Sequence, residues 1–259
     1  MSSVTPVLRL SDVVKRRIDG NHEHVLLDRL SLTVRAGSSV GVLGGRRSGK
    51  STLLRLAAGI ELADEGSVCV QGRDVARMSA LERVRLLRGT VGLLDTEAWQ
   101  PAAGETVIDH LVLALGSGCL TPAQARRRAC AALEEAGIAG IALEATASLP
   151  ACERARLMLA RALVHSPRLL LVDEPGVIPR RGDRVELMAL LHSVCEQREI
   201  ALLVASEEIS DLHGASKLIS IGRGELVETD GPDGKPGVVV PFPDDLNERT
   251  SRISQHEAQ

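Results

Sequence analysis

A glycine-rich segment, Gly44 to Ser51, constrains the fold of this chain more than any other part of the sequence. The residues before it, Ser39 to Leu43, read as a buried strand, and Ser51 to Ala58 continue as a helix. Glycines let successive backbone N–H groups turn toward phosphate oxygens at a helix N-terminus. A lysine at the end of such a loop reaches the outer phosphates, and the next hydroxyl suits Mg²⁺. The spacing therefore predicts an α/β fold with a site for a nucleoside triphosphate.

The predicted nucleotide-binding residues are those of this loop and the first helical position after it. They are Gly44, Gly45, Arg46, Arg47, Ser48, Gly49, Lys50, Ser51 and Thr52. Within this set, Lys50 is assigned to the outer phosphates and Ser51 to Mg²⁺. A second motif, LLLVDEP at 169–175, is an apolar run that ends in two carboxylates and supplies the usual partner of such a loop.

The composition excludes several classes of function. A net charge of −3 indicates no general nucleic-acid-binding surface, and the near absence of aromatic residues, with only Trp99 and Phe242, removes a stacking platform for single strands. No apolar stretch approaches the roughly 18 residues of a membrane span, and no signal-like segment opens the chain, so a cytosolic protein is expected. The five cysteines form no C-x-x-C pair, which argues against a zinc site or a disulfide framework.

The pattern along the chain predicts three regions. Residues 7–43 are rich in short strands, 106–143 turn helical, and an α/β pattern resumes after 150. The predicted boundaries are one domain over 1–228, a helical subdomain at about 96–150, and a tail over 229–259. The individual predictions are strands at 66–72, 91–94, 200–204 and a pair around 218–227, and helices at 79–87, from Thr121-Pro122 to near Gly137, at 151–164 and near 185–197.

The order of these pieces, from about Val7 to Val227, resembles the nucleotide-binding subunit of an ATP-binding cassette (ABC) transporter. The segments 53–60, 65–68 and 72–75 look like the region that follows the P-loop in that family, and 78–92 looks most like the branch for lipoprotein release, macrolide and peptide export and cell division. The resemblance implies a P-loop NTPase core of the ABC type, with an N-terminal antiparallel β subdomain and an α-helical insertion.

The resemblance also implies ligands, partners and a location. It implies ATP and Mg²⁺ at the interface with a second nucleotide-binding subunit, and a transmembrane permease that holds the chain at the inner face of the cell membrane. In the family mechanism Glu174 would polarise the attacking water, while Asp173 would hold Mg²⁺ directly or through water. Asp95, in place of the family's glutamine, could still contact the Mg²⁺.

The sequence departs from the family at several other site positions. The signature loop that grips ATP of the opposite subunit is replaced by a segment containing Pro150, Ala151, Cys152 and Glu153. Pro150 offers neither a hydroxyl nor an N–H group, and the carboxylate of Glu153 repels phosphate. Ser206 replaces the switch histidine and is followed by Glu207, Pro179-Arg180 replaces a Leu-Asp pair, Arg47 stands where glycine is usual, and a residue near Arg17 replaces the adenine-stacking aromatic.

Two functions therefore remain open from the sequence. The first is an ATP-binding transporter subunit whose hydrolysis is attenuated, with the partner either a second copy or a different subunit. The second is a non-hydrolysing regulatory or scaffold subunit in which ATP only stabilises the complex. The retained Glu174 argues against the second, because a pure scaffold needs no water-activating carboxylate. A soluble cassette protein of translation or DNA repair is disfavoured, since neither a second cassette nor a long coiled-coil insertion is present.

Overall fold

The computed structural model describes residues 5–20, 22–95, 104–116, 120–175, 180–222 and 225–229. The strands within these ranges are β1 (Leu8–Asp19), β2 (His22–Val34), β3 (Ser39–Leu43), β4 (Glu65–Val70), β5 (Arg73–Asp74), β6 (Val91–Asp95), β7 (Leu169–Asp173), β8 (Ala201–Ser206), β9 (Lys217–Gly222) and β10 (Glu225–Thr229). The α-helices are α1 (Lys50–Ala57), α2 (Ala80–Gly89), α3 (Val107–Leu115), α4 (Pro122–Glu135), α5 (Ala151–Leu163) and α6 (Arg181–Gln197).

The strands form two sheets. The first has the order β2-β1-β4-β5, and all its pairs are antiparallel. The second has the order β10-β9-β3-β8-β7-β6, in which β10 is an antiparallel edge strand and the other pairs are parallel. The predicted α/β fold with an N-terminal antiparallel β subdomain is confirmed.

The parallel sheet is covered on both faces, which explains why β7 and β8 read as continuous apolar runs. Successive side chains point to opposite faces of a strand. Leu169 and Leu171 accordingly join the core that contains α1 and the antiparallel sheet. Leu170 and Val172 join a second core with α5 and α6. The hydrophobic cores on the two faces of the sheet position the end of β3 and the start of α1.

The helical subdomain has its own core. Thr121 begins α4 with a capping box in which Gln124 is the reciprocal partner, and Ala129 and Leu133 of α4 are buried against α3 and α5. The alanine-rich face of this region is therefore intramolecular core. The arginines of the basic run, 126–128, are exposed on the other face of α4.

Some predicted boundaries shift. Helix α6 begins at Arg181 and not near Val185, because the polar turn 181–184 lacks the apolar periodicity on which the prediction relied. Strand β10 includes Thr229, the first residue of the predicted tail, and the remainder of that tail lies outside the described residues, as do Trp99, Cys119 and Pro179. Among the helices that the structure describes, none combines the length and apolarity needed to cross a bilayer.

Candidate nucleotide site

The glycine-rich loop joins β3 to α1, as predicted, and Gly49 immediately precedes the helix. Gly49 has a φ of +103°, and a Cβ atom there would lie 2.7 Å from the carbonyl oxygen of Leu26 and 2.8 Å from Leu27 Cδ2. Both the backbone angle and the close approach therefore require glycine. Arg47 adopts a φ of +62° in the same loop, a left-handed conformation that is unfavourable for a side chain with a Cβ atom.

Lys50 lies at the centre of the site, and its side chain is only 6% exposed. Its Nζ atom donates to the carbonyl oxygens of Gly44 and Gly45, at 2.6 and 2.9 Å. The ammonium group also lies 3.1 Å from Glu174 Oε1 and 3.8 Å from Glu207 Oε1. A buried ammonium ion needs such oxygen partners, because its desolvation is otherwise costly. The loop carbonyls and the two carboxylates thus stabilise Lys50 in this position.

The register of the parallel sheet brings the sequence-predicted residues to one edge. Leu43, the last residue of β3, is paired with Ser206, while Asp173 is paired with Ala205 on one side and with Asp95 on the other. The carboxyl ends of parallel strands share one edge, which is where open α/β sheets bind ligands. The side chain of Asp95 itself lies outside the part of the chain that is described.

Glu174 follows β7 directly and is held by its backbone as well as by its side chain. Its φ is +44°, a strained left-handed value, and its N–H group donates to Ala205 O at 3.0 Å. Glu174 Oε2 accepts a hydrogen bond of 3.2 Å from the N–H group of Glu207. Burial raises the pKa of the Glu174 carboxyl above its ordinary value, and the contact with Lys50 offsets this only in part.

Ser206, which the sequence resemblance equates with the family's switch histidine, is engaged in a separate polar network. Its Oγ atom donates to Asp211 Oδ2 at 3.1 Å and accepts from the N–H group of Glu208 at 3.1 Å. Arg184 of α6 completes the network, with its Nε atom 3.3 Å from Asp211 Oδ1 and a terminal nitrogen 3.1 Å from Glu208 Oε2. The hydroxyl of Ser206 therefore orders the turn after β8.

The remaining predicted positions lie on helix ends. Pro150 is the N-cap of α5 and provides no side-chain hydrogen bond, and Ala151, Cys152 and Glu153 form the first turn of that helix. Helix α5 packs against α3, α4 and α6. Arg180 is the exposed N-cap of α6. The structure thus places these residues on the helical layer, while the loop, Asp173, Glu174 and Ser206 meet at the sheet edge.

The donor set at the edge fits Mg²⁺. The hydroxyl of Ser51, in the first turn of α1, and the carboxylate of Asp173 are the hard oxygen donors that Mg²⁺ prefers. Across the described ranges, no group of three His, Cys, Asp or Glu side chains is arranged to hold a metal ion. At nucleotide sites Mg²⁺ is bound by one or two protein oxygens together with the phosphates.

The structure adds a carboxylate that the sequence reasoning did not assign. The sequence pattern gives Glu207 no role beyond following Ser206, whereas in the structure its carboxylate lies near Lys50 and its N–H group donates to Glu174. The available signal was its position directly after a buried parallel strand, at the same edge as Asp173.

Comparison with known proteins supports the sequence resemblance. The profile of the family described as "ABC transporter" matches residues 27–177. The methionine import ATP-binding protein MetN of Rhizobium johnstonii is 33% identical over 223 residues, which cover 86% of this chain but 60% of MetN. The lipoprotein-releasing system ATP-binding protein LolD of Nitrobacter hamburgensis is 30% identical over 227 residues, covering 87% of this chain and 97% of LolD. The relatives thus include an importer and a member of the lipoprotein-release branch.

Solved structures confirm the fold. The dimeric ATP-binding cassette MJ0796, in a post-hydrolysis state bound to ADP and Pi, superposes with a TM-score of 0.78 at 21% identity, covering 88% of this chain and 100% of that one. The protein cbiO1 of Clostridium perfringens, part of the ABC transporter complex cbiONQ, superposes with a TM-score of 0.76 at 18% identity, covering 97% of this chain and 94% of cbiO1.

Proposed function

Because this chain belongs to the ABC transporter family, we propose that it is the ATP-binding subunit of a transporter complex. In this proposal the chain binds MgATP at an interface with a second nucleotide-binding subunit and couples that binding to a transmembrane permease. The permease would hold it at the inner face of the cell membrane. The observation that carries the proposal is Lys50, buried between the loop and Glu174 at the carboxyl edge of the parallel sheet.

The chemistry of the edge supports triphosphate binding. The N–H groups at the start of α1 and the ammonium of Lys50 offer positive charge to the phosphates. Ser51 and Asp173 would hold Mg²⁺, which neutralises phosphate charge when bound. Glu174 lies at the end of β7, where its carboxylate can accept a proton from water, and its raised pKa strengthens it as a base.

Two other residues, Pro150 and Ser206, favour slow hydrolysis. Phosphoryl transfer depends on positioned donors, and removal of one costs about 10²–10³ in rate. Pro150 has no N–H group to offer to an opposite subunit, and Ser206 uses its hydroxyl on Asp211 and Glu208 N–H. We therefore expect turnover well below that of a cassette with a complete set of donors.

The bonding of Ser206 also favours a second candidate, a regulatory or scaffold subunit that binds ATP without hydrolysing it. In that case ATP would stabilise the assembled complex by binding the folded, associated form. The two candidates differ in one measurable property, the turnover of the assembled complex.

A permease would meet the helical subdomain. Leu113 of α3 and Leu143 have side chains exposed to solvent, whereas the rest of the apolar surface of this region is largely packed into its own core. Exposed leucines on this subdomain suit contact with a membrane partner.

The first test is calorimetric titration of the chain with MgATP. We expect Lys50→Ala to weaken binding by about 10² or more, because it removes the buried positive charge. Lys15→Ala is the matched control, since Lys15 forms an ion pair of the same 3.1 Å length with Asp64, in the antiparallel sheet. Equal affinities for the wild type and Lys50→Ala, or no binding by either, would refute nucleotide binding at this loop.

The second test is turnover of the complex with its membrane partner. Activity that appears on assembly and disappears in Glu174→Gln would support the transport ATPase. Binding without turnover in the assembled complex would support the regulatory subunit.

A further inference from the structure

Glu207 gives Lys50 a second carboxylate. Its Oε1 atom lies 3.8 Å from Lys50 Nζ, which also donates to the carbonyl oxygens of Gly44 and Gly45. Glu174 Oε1 already lies 3.1 Å from the same nitrogen. One ammonium group therefore faces two carboxylates, and with both carboxyl groups ionised the cluster carries a net negative charge.

The position of Glu207 is fixed by the backbone. Its N–H group donates to Glu174 Oε2 at 3.2 Å, and β8, which ends at Ser206, is hydrogen-bonded between β3 and β7. The N–H group of Gly44 in turn donates to Ser206 O at 3.2 Å. The turn that carries Glu207 is thus attached both to the phosphate-binding loop and to the carboxylate after β7.

The neighbouring Glu208 shows that a carboxylate in this turn does not necessarily contact Lys50. Glu208 directs its Oε2 atom to Arg184, at 3.1 Å, and its N–H group to Ser206 Oγ. Two consecutive glutamates therefore serve different cations, one in the loop site and one on α6. Glu207, whose side chain is 43% exposed, can turn away into solvent when another anion approaches Lys50.

We propose that Glu207 determines nucleotide binding by competing with the terminal phosphate for Lys50, so that the site selects nucleotide that carries a divalent cation. The inference rests on the proposed binding of nucleotide at this loop. Metal-free ATP would bring its full negative charge against Glu174 and Glu207, whereas the cation of MgATP would offset part of that repulsion.

The experiment compares ATP affinity with Mg²⁺ and with EDTA for the wild type and Glu207→Gln. We expect Glu207→Gln to bind metal-free ATP about tenfold more tightly than the wild type, as expected for removing a like charge a few ångströms from an anion at a partly exposed site. For MgATP the increase in affinity should be smaller, about threefold or less. The ratio of the affinity for MgATP to the affinity for metal-free ATP is therefore smaller in the variant than in the wild type.

Glu208→Gln is the matched control, because it removes the same charge from the next residue without altering the contacts of Lys50. Its affinities should stay within about twofold of the wild type. Glu207→Asp retains the charge and withdraws it by one methylene, so an intermediate effect on metal-free ATP is expected. Thermal unfolding of each variant confirms that it is folded.

The outcomes separate this inference from the proposed function. Suppose that the wild type binds MgATP and that Lys50→Ala abolishes this binding. If Glu207→Gln then leaves the affinities for MgATP and for metal-free ATP unchanged, or lowers both, the inference fails and the nucleotide site stands. The inference also fails if Glu208→Gln produces the same gain, since the effect would then be one of overall charge. Failure of every protein to bind nucleotide overturns both.

Discussion

Replacement of Gly49 by alanine tests whether the loop geometry is enforced by the structure. The new Cβ would lie 2.7 Å from Leu26 O and 2.8 Å from Leu27 Cδ2, and a φ of +103° is strained for any residue with a side chain. Backbone strain of this kind costs about 1–3 kcal/mol. Overpacking against fixed atoms adds about 1–3 kcal/mol. We expect Gly49→Ala to lower the free energy of unfolding by about 2–6 kcal/mol, the sum of these two costs.

Urea and thermal denaturation followed by circular dichroism measure this effect, and the thermal midpoint should fall by about 2–4 °C for each kcal/mol of stability lost in a domain of this size. Gly182→Ala is the control, because Gly182 lies in α6 with nothing within 4 Å of its would-be Cβ. Alanine there should be neutral or stabilising, by up to about 1 kcal/mol. A Gly49→Ala protein as stable as the wild type would refute the argument that Leu26 and the backbone angle demand glycine.

Two further predictions concern buried titratable groups. Burial lowers the pKa of His192 below its ordinary 6.5, so the unfolded chain binds more protons between the lowered value and 6.5, and stability should fall as the pH drops through that window. Urea midpoints at pH 7.5 and 5.5 measure this loss of stability, which should be smaller in His192→Gln than in the wild type. An unchanged pH dependence in His192→Gln would contradict the assignment of the loss to His192. Burial raises the pKa of Cys195 to about 12, so iodoacetamide at pH 8 should leave Cys195 unmodified in the folded protein, while mass spectrometry should detect its alkylation in urea. Alkylation of Cys195 in the native protein at the unfolded rate would show that its thiol is accessible.

The sequence alone was sufficient for the parts of the site that are local. The loop from Gly44 to Lys50 was predictable, because glycine spacing and the flanking strand and helix patterns all fall within one short segment. The buried runs of β7 and β8 were predictable because strands covered on both faces lose their alternation. The carboxylate pair at the end of β7 was predictable because both residues belong to the LLLVDEP segment that contains the strand.

The contacts between distant segments were not predictable from local pattern. That Glu207 faces Lys50, and that Ser206 bonds to Asp211, depends on β8 lying between β3 and β7 with a particular register. A shift of one residue would turn every side chain of β8 to the other face. The role of Pro150 across a subunit interface stays a prediction, because the contacts that would define it involve a second chain.

The environment of Lys50 changes how the retention of Glu174 should be weighed. From the sequence, a carboxylate after β7 argued for hydrolysis, because a subunit that only binds ATP has no water to activate. In the structure that carboxylate is also the nearest counter-charge of an ammonium whose side chain is 6% exposed. Removal of one partner from a buried ion pair leaves the other charge uncompensated, so Glu174 has a structural reason to persist whether or not ATP is hydrolysed. The presence of Glu174 therefore does not decide between the two candidate functions, whereas turnover by the assembled complex does.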